Sequence, residues 1–353
     1  MRRSWLETRS GRSSSKASPK SLLVPPSRSK VFDEFAAGIE KRSPEAAALL
    51  RRCGREPLAL ALVPSDPTWD VPHRLLAAVR WLVLAGEVYD YSDALDPWGA
   101  FSSILRERGD WIARFVRQQP VQTNEVQRCF ALLPLFLTVA RAAARPVDLL
   151  ELGPSAGLNL LWDRYRYRYR AGTWGLDTAS LGLTGEERGP VPAALLREQV
   201  EVQRRRGIDL NPIDVMREGD VRLLFAFASL DDDVRCRLER AVEVARAQPP
   251  ELIRGDYLEL LPQLLADRDD GTLTIVFQTH STIYLPVEQR VRLRELIDKA
   301  AQAAPLAWIS TPTPEEHGQS RGDYPLELAL LPGQERRIVA RTDVRGDWLD
   351  WLG

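Results

Sequence analysis

Sulfur and imidazole are scarce: 353 residues contain three cysteines, two methionines and three histidines. Cys53, Cys129 and Cys236 are odd in number and far apart, which excludes a disulfide framework and any zinc-ligand spacing, so no metal site is expected. Each reads as a small hydrophobe. No apolar run approaches the length of about eighteen residues that would span a membrane. The phosphate-binding pattern G-x-x-x-x-G-K-[ST] is absent, which excludes a P-loop nucleotidase. The G-x-G-x-x-G of dinucleotide-binding loops is absent too.

What is present is ordinary soluble-protein material, with 44% hydrophobic and 27% charged residues. Charge is unevenly placed. Residues 1–30 hold eight Lys/Arg against Glu7 alone, a net +7 that leaves the remainder of the chain at −8. That segment is rich in Ser and Pro and poor in core-forming residues, so a disordered basic leader is expected. It lacks the apolar stretch of a secretory signal, and with no disulfide pattern the expected compartment is the cytoplasm. A basic anchor for nucleic acid or anionic lipid is its alternative use. The acidic remainder argues against nucleic acid as a partner, and a small-molecule substrate is expected instead.

From residue 31 to 145 the pattern is helical. Ser43-Pro44-Glu45 starts a helix that Gly54 closes. Pro72 to Ala85 is a second, with Leu75, Leu76, Val79, Leu82 and Val83 on one face. Asp96-Pro97 starts a third, ending near Gly109. A fourth runs from Glu125 to about Ala144, with Asn124 as N-cap and Gln127 completing a capping box. At Pro146 the period changes. Val147 to Leu152, Leu273 to Gln278 and Leu306 to Ile309 are short apolar runs bounded by turn residues and separated by helical stretches such as Val287 to Ala303. Buried parallel strands linked by helices fit this pattern. Leu326 to Leu331 and Arg337 to Thr342, around Pro332-Gly333, read as an antiparallel hairpin. The expectation is an α/β fold: a helical domain (31–145) followed by a Rossmann-like domain (146–353) whose sheet ends in that hairpin.

Glu151-Leu152-Gly153-Pro154-Ser155-Ala156-Gly157 joins the first strand to an expected helix, whose N-terminus would add a positive dipole end. The spacing E-x-G-x-x-x-G resembles the first motif of class I S-adenosylmethionine-dependent methyltransferases, and the closing hairpin resembles the end of their sheet. The resemblance implies that Glu151 handles the amino-acid moiety of the cofactor and that Gly153, Ser155 and Gly157 admit its approach, Ser155 replacing the family's middle glycine. It also implies that Asp256, after the third strand, meets the adenine amino group, with Tyr257 stacking on the base. A helix N-cap is the alternative for Asp256. Asp177, Asp209 and Asp214 compete as the ribose-binding acid.

Ligands of open α/β sheets sit beyond the carboxyl ends of the strands. His280 follows Leu273–Gln278 there, where a general base is useful; a capping or core histidine is the bland alternative. Tyr284, Gln122 and Glu125 face the same region on this reading, and Asn124 joins them if it does more than cap. Gly153-Pro154-Ser155-Ala156-Gly157 also satisfies G-x-S-x-G formally, so a serine hydrolase is a weaker enzymatic alternative. Arg164 to Arg170 alternates Arg and Tyr with period two, the pattern of a half-exposed strand. Arg164 or Arg166 could hold an anionic substrate.

Gln122 to Arg128, Glu151 to Leu160, Asp163-Arg164-Tyr165, Arg206 to Asp214 and His280 to Leu285 together resemble an uncharacterised bacterial family, domain of unknown function 2332, over about Phe32 to Trp351. That family is similar to methyltransferases in fold and carries no established activity. The functional expectation is a small-molecule methyltransferase using S-adenosylmethionine. Its rival is a Rossmann-like protein that binds a metabolite or partner without catalysis.

Overall fold

Short apolar runs with turn residues at both ends become strands here because both faces of a parallel sheet are covered. The computed structural model describes residues 28–228, 231–312 and 322–353. The expected basic leader therefore lies outside the described residues up to position 27, and Arg28 to Lys30 begin the first helix. In chain order come α1 (Arg28–Ile39), α2 (Pro44–Cys53), α3 (Pro57–Ala61), α4 (Val71–Leu84), α5 (Pro97–Glu107), α6 (Gly109–Gln118) and α7 (Arg128–Ala143). Next are β1 (Val147–Leu152), β2 (Arg166–Tyr169), β3 (Gly172–Trp174), β4 (Gly182–Thr184), β5 (Glu186–Gly189), β6 (Val202–Asp209), α8 (Glu218–Phe227) and α9 (Asp232–Ala247). The chain ends with β7 (Glu251–Arg254), α10 (Tyr257–Ala266), β8 (Leu273–Gln278), α11 (Val287–Ala303), β9 (Leu306–Ser310), β10 (Tyr324–Leu331), β11 (Arg337–Thr342) and β12 (Trp348–Trp351).

One sheet runs β5-β12-β11-β10-β9-β8-β1-β6-β7. Five strands, β7-β6-β1-β8-β9, are mutually parallel, and in chain order this is the 3-2-1-4-5 arrangement of a Rossmann-like fold. β10, β11 and β12 continue it antiparallel, so the closing hairpin is present. The order reverses between β1 and β8, and that switch point is where such sheets open a crevice. Alternation along β1 gives the sheet two cores. Val147 and Leu149 join α7 and α9 on one face; Leu150 and Leu152 join α10 and α11 on the other. Helices α1 to α6 have a separate core around Phe32, Leu50, Leu75 and Phe101. α4 lies against α8, so the helical region is held to the sheet side of the molecule.

Three local expectations are corrected. The glycine loop is followed by a seven-residue 3-10 segment, Leu158–Arg164, and not by an α-helix, so no helix dipole points at the loop. α7 starts at Arg128 because the supposed capping residues are engaged elsewhere: Asn124 Oδ1 accepts from Leu158 N at 2.9 Å, and Gln127 Nε2 donates to the Thr184 carbonyl at 2.8 Å. Cys236 is exposed, whereas Cys53 and Cys129 are buried. The Tyr-Arg alternation does form a strand, β2, with Tyr165, Tyr167 and Tyr169 inside and their hydroxyls on the carbonyls of Leu158, Trp162 and Phe130. Among the described residues no helix is long and apolar enough to cross a membrane.

Candidate functional site

At the carboxyl ends of β1, β6 and β8 lies a cavity of about 720 Å³, roofed by residues of the helical region. Such a volume is in the range of small-molecule sites. The loop after β1 enters it through a turn that only glycine makes easily. Gly153 has φ +73°, and a Cβ there would stand 2.6 Å from Ser281 Cβ in the loop after β8. Ser155 has φ +54° and His280 φ +64°; both line the cavity. Non-glycine residues held at positive φ carry strain, and such strain concentrates at functional sites.

Strand alternation puts Glu151 on the α7 face of β1, at the floor of the cavity and 1% exposed. Asn159 Nδ2 donates to its Oε1 at 3.4 Å, and Oε2 has no hydrogen-bond partner. Burial pushes this carboxyl up to about 8, against the bond from Asn159 and the positive charge of Arg128. Arg128 lines the same floor, its Nε donating to the Val344 carbonyl at 2.9 Å and its Nη1 to Thr279 Oγ1 at 3.4 Å. Asp209, closing β6, accepts from Ser155 N at 2.9 Å and Asn211 N at 2.8 Å and also lines the cavity.

Most of the expected residues converge here. Gln122, Asn124, Glu125, Glu151, Gly153, Ser155, Tyr257, His280 and Tyr284 all line the cavity. Tyr257 is nearly buried and its hydroxyl has no hydrogen-bond partner. Glu125 lies near Arg345, Arg128 and Arg237, yet burial raises its pKa. Tyr284 is 55% exposed at the rim and stacks on Trp69 from the helical region at 5.8 Å.

Three expected residues do not join them. Asp256 caps α10, accepting from Leu258 N at 2.8 Å, and stays out of the cavity, so the capping alternative holds. Gly157 faces the other way: a Cβ there would meet Pro250 Cγ at 2.7 Å. Arg164, at the end of the 3-10 segment, pairs with Asp163 at 3.4 Å outside the cavity. The competing acids also separate: Asp177 pairs with Arg166 and is 87% exposed, and Asp214 binds Met216 N, leaving Asp209. Ser155 Oγ donates to Gln122 Oε1 at 2.8 Å, and an amide takes no proton, so the serine has no base as its partner.

Sequence reading missed His73, Arg128, Arg237 and Trp69, which also line the cavity. Arg128 lay inside the Gln122–Arg128 cluster and was the one within reach. The two cavity histidines are neutral in the fold. His280 is held well below its ordinary value by burial and Arg128, and its ring meets Tyr324 edge-on at 4.8 Å. His73, bonded to the Phe227 carbonyl at 3.0 Å, is pushed by burial from 6.5 down to about 4. Below pH 6.5 the unfolded chain takes up a proton that the folded chain refuses, so stability is lost as pH falls toward 4. His73 alone accounts for about 3 kcal/mol over that window. Denaturant unfolding at pH 6.5, 5 and 4 should show this decline, and His73→Gln should make it shallower.

Among the described residues no cluster of His, Cys, Asp or Glu is placed to hold a metal ion. No curated protein matches the chain. The family match covers residues 29–351, nearly all of the described structure, and the chain belongs to the bacterial family "Uncharacterized protein conserved in bacteria (DUF2332)".

Proposed function

We propose that the cavity binds S-adenosylmethionine and that the protein transfers its methyl group to a small molecule. One observation carries this reading: a buried carboxyl, Glu151, ends β1 in the cavity with one oxygen unpartnered. Such an atom costs free energy unless a ligand donates to it. Arg128 acts on Glu151 electrostatically, so acid and guanidinium suit a zwitterionic amino-acid head, ammonium toward Glu151 and carboxylate toward Arg128. Asp209 ends the second parallel strand, where an acid meets ribose hydroxyls in Rossmann-type sites. With Asp256 capping α10, the base side is left to Tyr257.

When bound, the cofactor supplies an electrophilic methyl on a positively charged sulfur. Glu151 and Arg128 orient the amino-acid end, and the roof excludes water, so positioning supplies much of the rate. His280, neutral and weakly basic, receives a hydrogen bond from the acceptor and is a poor store for its proton near neutral pH.

Titration calorimetry with S-adenosylmethionine and S-adenosylhomocysteine tests the reading. Glu151 is mostly protonated at pH 7 and must ionise to face an ammonium. Binding is therefore expected to release close to one proton, read from the heat in buffers of different ionisation enthalpy. No binding of either compound at millimolar concentration removes the proposal.

The second reading, a binder of the same ligand without catalysis, is favoured by the weak basicity of His280. Methyl label passing from the cofactor into small molecules of a bacterial extract selects transfer; retained label selects the binder.

A further inference from the structure

The cavity has two unlike halves. Glu151, Asp209 and their neighbours make the strand-end half polar. The opposite wall comes from four helices: Phe35 and Ile39 of α1, Leu76 of α4, Phe227 of α8 and Leu238 of α9. Phe35 and Phe227 each pack against the His73 ring, at 5.6 and 5.2 Å, which fixes the shape of this wall. Apolar surface facing a cavity of about 720 Å³ gains by covering itself with an apolar body.

Beside that wall stands a cation with no ion pair among the described residues. The other cavity arginines are engaged: Arg74 by Asp70 at 3.1 Å, Arg80 by the Ala228 carbonyl, Arg128 by Val344 and Thr279, and Arg345 by Glu125 at 3.9 Å. Arg237 follows Val234 by one turn of α9, and both line the cavity. It has no ion pair among the described residues, and its Nε is buried without a hydrogen-bond partner. Glu125 and Asp347 are within its electrostatic reach, but Arg345 and Arg42 already answer them. A guanidinium presents a planar fork that matches a carboxylate or phosphate with two parallel bonds. An unpaired buried donor is costly until such a group arrives.

We infer that the methyl acceptor is an amphiphilic anion, its apolar body seated on the wall of α1, α4, α8 and α9 and its carboxylate or phosphate on Arg237. The inference rests on the proposed transferase and names its substrate class: the sulfur–methyl bond breaks as a bond from methyl to an oxygen of the anion forms, leaving S-adenosylhomocysteine, and an oxygen already anionic has no proton to give up, so no base is asked of His280. Its test is independent of the cofactor.

The probes are decanoate, decyl phosphate, decanol and decylamine, titrated below their micellar concentrations into the full chain by calorimetry. Decanoate or decyl phosphate is expected to bind at least ten-fold more tightly than decanol, with decylamine weakest; the better of the two anions identifies the headgroup. Arg237→Gln should abolish the preference for the anion over decanol while leaving decanol binding in place. Arg237→Lys, which keeps charge but loses the fork, should retain part of it. S-adenosylhomocysteine titrated alongside is a separate readout, so loss of its binding and loss of decanoate binding report separate failures. Equal binding of decanoate and decylamine, an anion preference that survives Arg237→Gln, or no binding of any probe overturns the inference.

Discussion

Replacing Glu151 with glutamine should abolish binding of S-adenosylhomocysteine and at the same time make the free protein more stable. The two effects have one cause. In the unfolded chain this carboxyl titrates near 4.5, and in the fold it is pushed up to about 8. A raised acid contributes stability that is complete below pH 4.5 and is lost as pH rises through 8. At pH 7 the free protein therefore bears a cost of about 3 kcal/mol, and above pH 8 nearer 5 kcal/mol. Glutamine keeps an acceptor for Asn159 and removes the charge, so the unfolding free energy of Glu151→Gln should exceed that of the parent by an amount growing from pH 5 to pH 8. A carboxyl kept for architecture behaves in the opposite way, since removing it leaves partners unsatisfied. If Glu151→Gln unfolds more easily than the parent at pH 8, the functional assignment of Glu151 is wrong.

Gly157 gives the second large effect, of the other kind. Its φ of +71° disfavours any side chain, at about 1–2 kcal/mol for an ordinary residue. A Cβ would also stand 2.7 Å from Pro250 Cγ and 3.0 Å from Leu252 Cδ2, and a proline ring moves little. With overpacking of about 1–3 kcal/mol added, Gly157→Ala should lose about 2–5 kcal/mol of stability. Because Gly157 stays out of the cavity, the fraction that folds should bind S-adenosylhomocysteine within about two-fold of the parent. Denaturant melts alongside calorimetry at 10 °C separate the two quantities. Lost affinity with unchanged stability would place Gly157 against the ligand after all. The motif glycines thus have different reasons to exist: Gly153 clears Ser281 at the cavity floor, whereas Gly157 lets the loop lie against the start of β7.

Strands buried on both faces and helices with clear start signals or periodicity were the legible elements. β1, β8 and α11 are found with the boundaries their apolar runs and periodicity indicate, and α2 and α5 start at Ser43-Pro44 and Asp96-Pro97. β6 could not be read in the same way, because Val202–Asp209 carries Arg204, Arg205 and Arg206. Two of those charges are matched in space, Arg204 by Asp148 at 2.6 Å on β1 and Arg205 by Asp163 at 2.6 Å. No local pattern announces such a match. Within the site, the strand-end residues Glu151, Gly153, Ser155 and His280 were legible because a strand end fixes where a side chain emerges. His73 and Trp69 come from the roof and Arg237 from α9, and no spacing along the chain ties them to β1. Asp256 failed for another reason: one residue type in one context serves as a cap or as a ligand contact, and only its bond to Leu258 N decides.

The sheet edge formed by β5 has a consequence for biosynthesis. Residues 186–189 lie in the chain between the first two parallel strands, yet among the described residues their sheet neighbour is β12 at residues 348–351. A ribosome adds residues at roughly 5–20 per second, so on the order of ten to thirty seconds separates the appearance of β5 from that of its partner. During that interval β5 waits with its backbone groups open to water or to other chains. Residues 348–351 act as a latch, and removing them frees a segment made about 160 residues earlier.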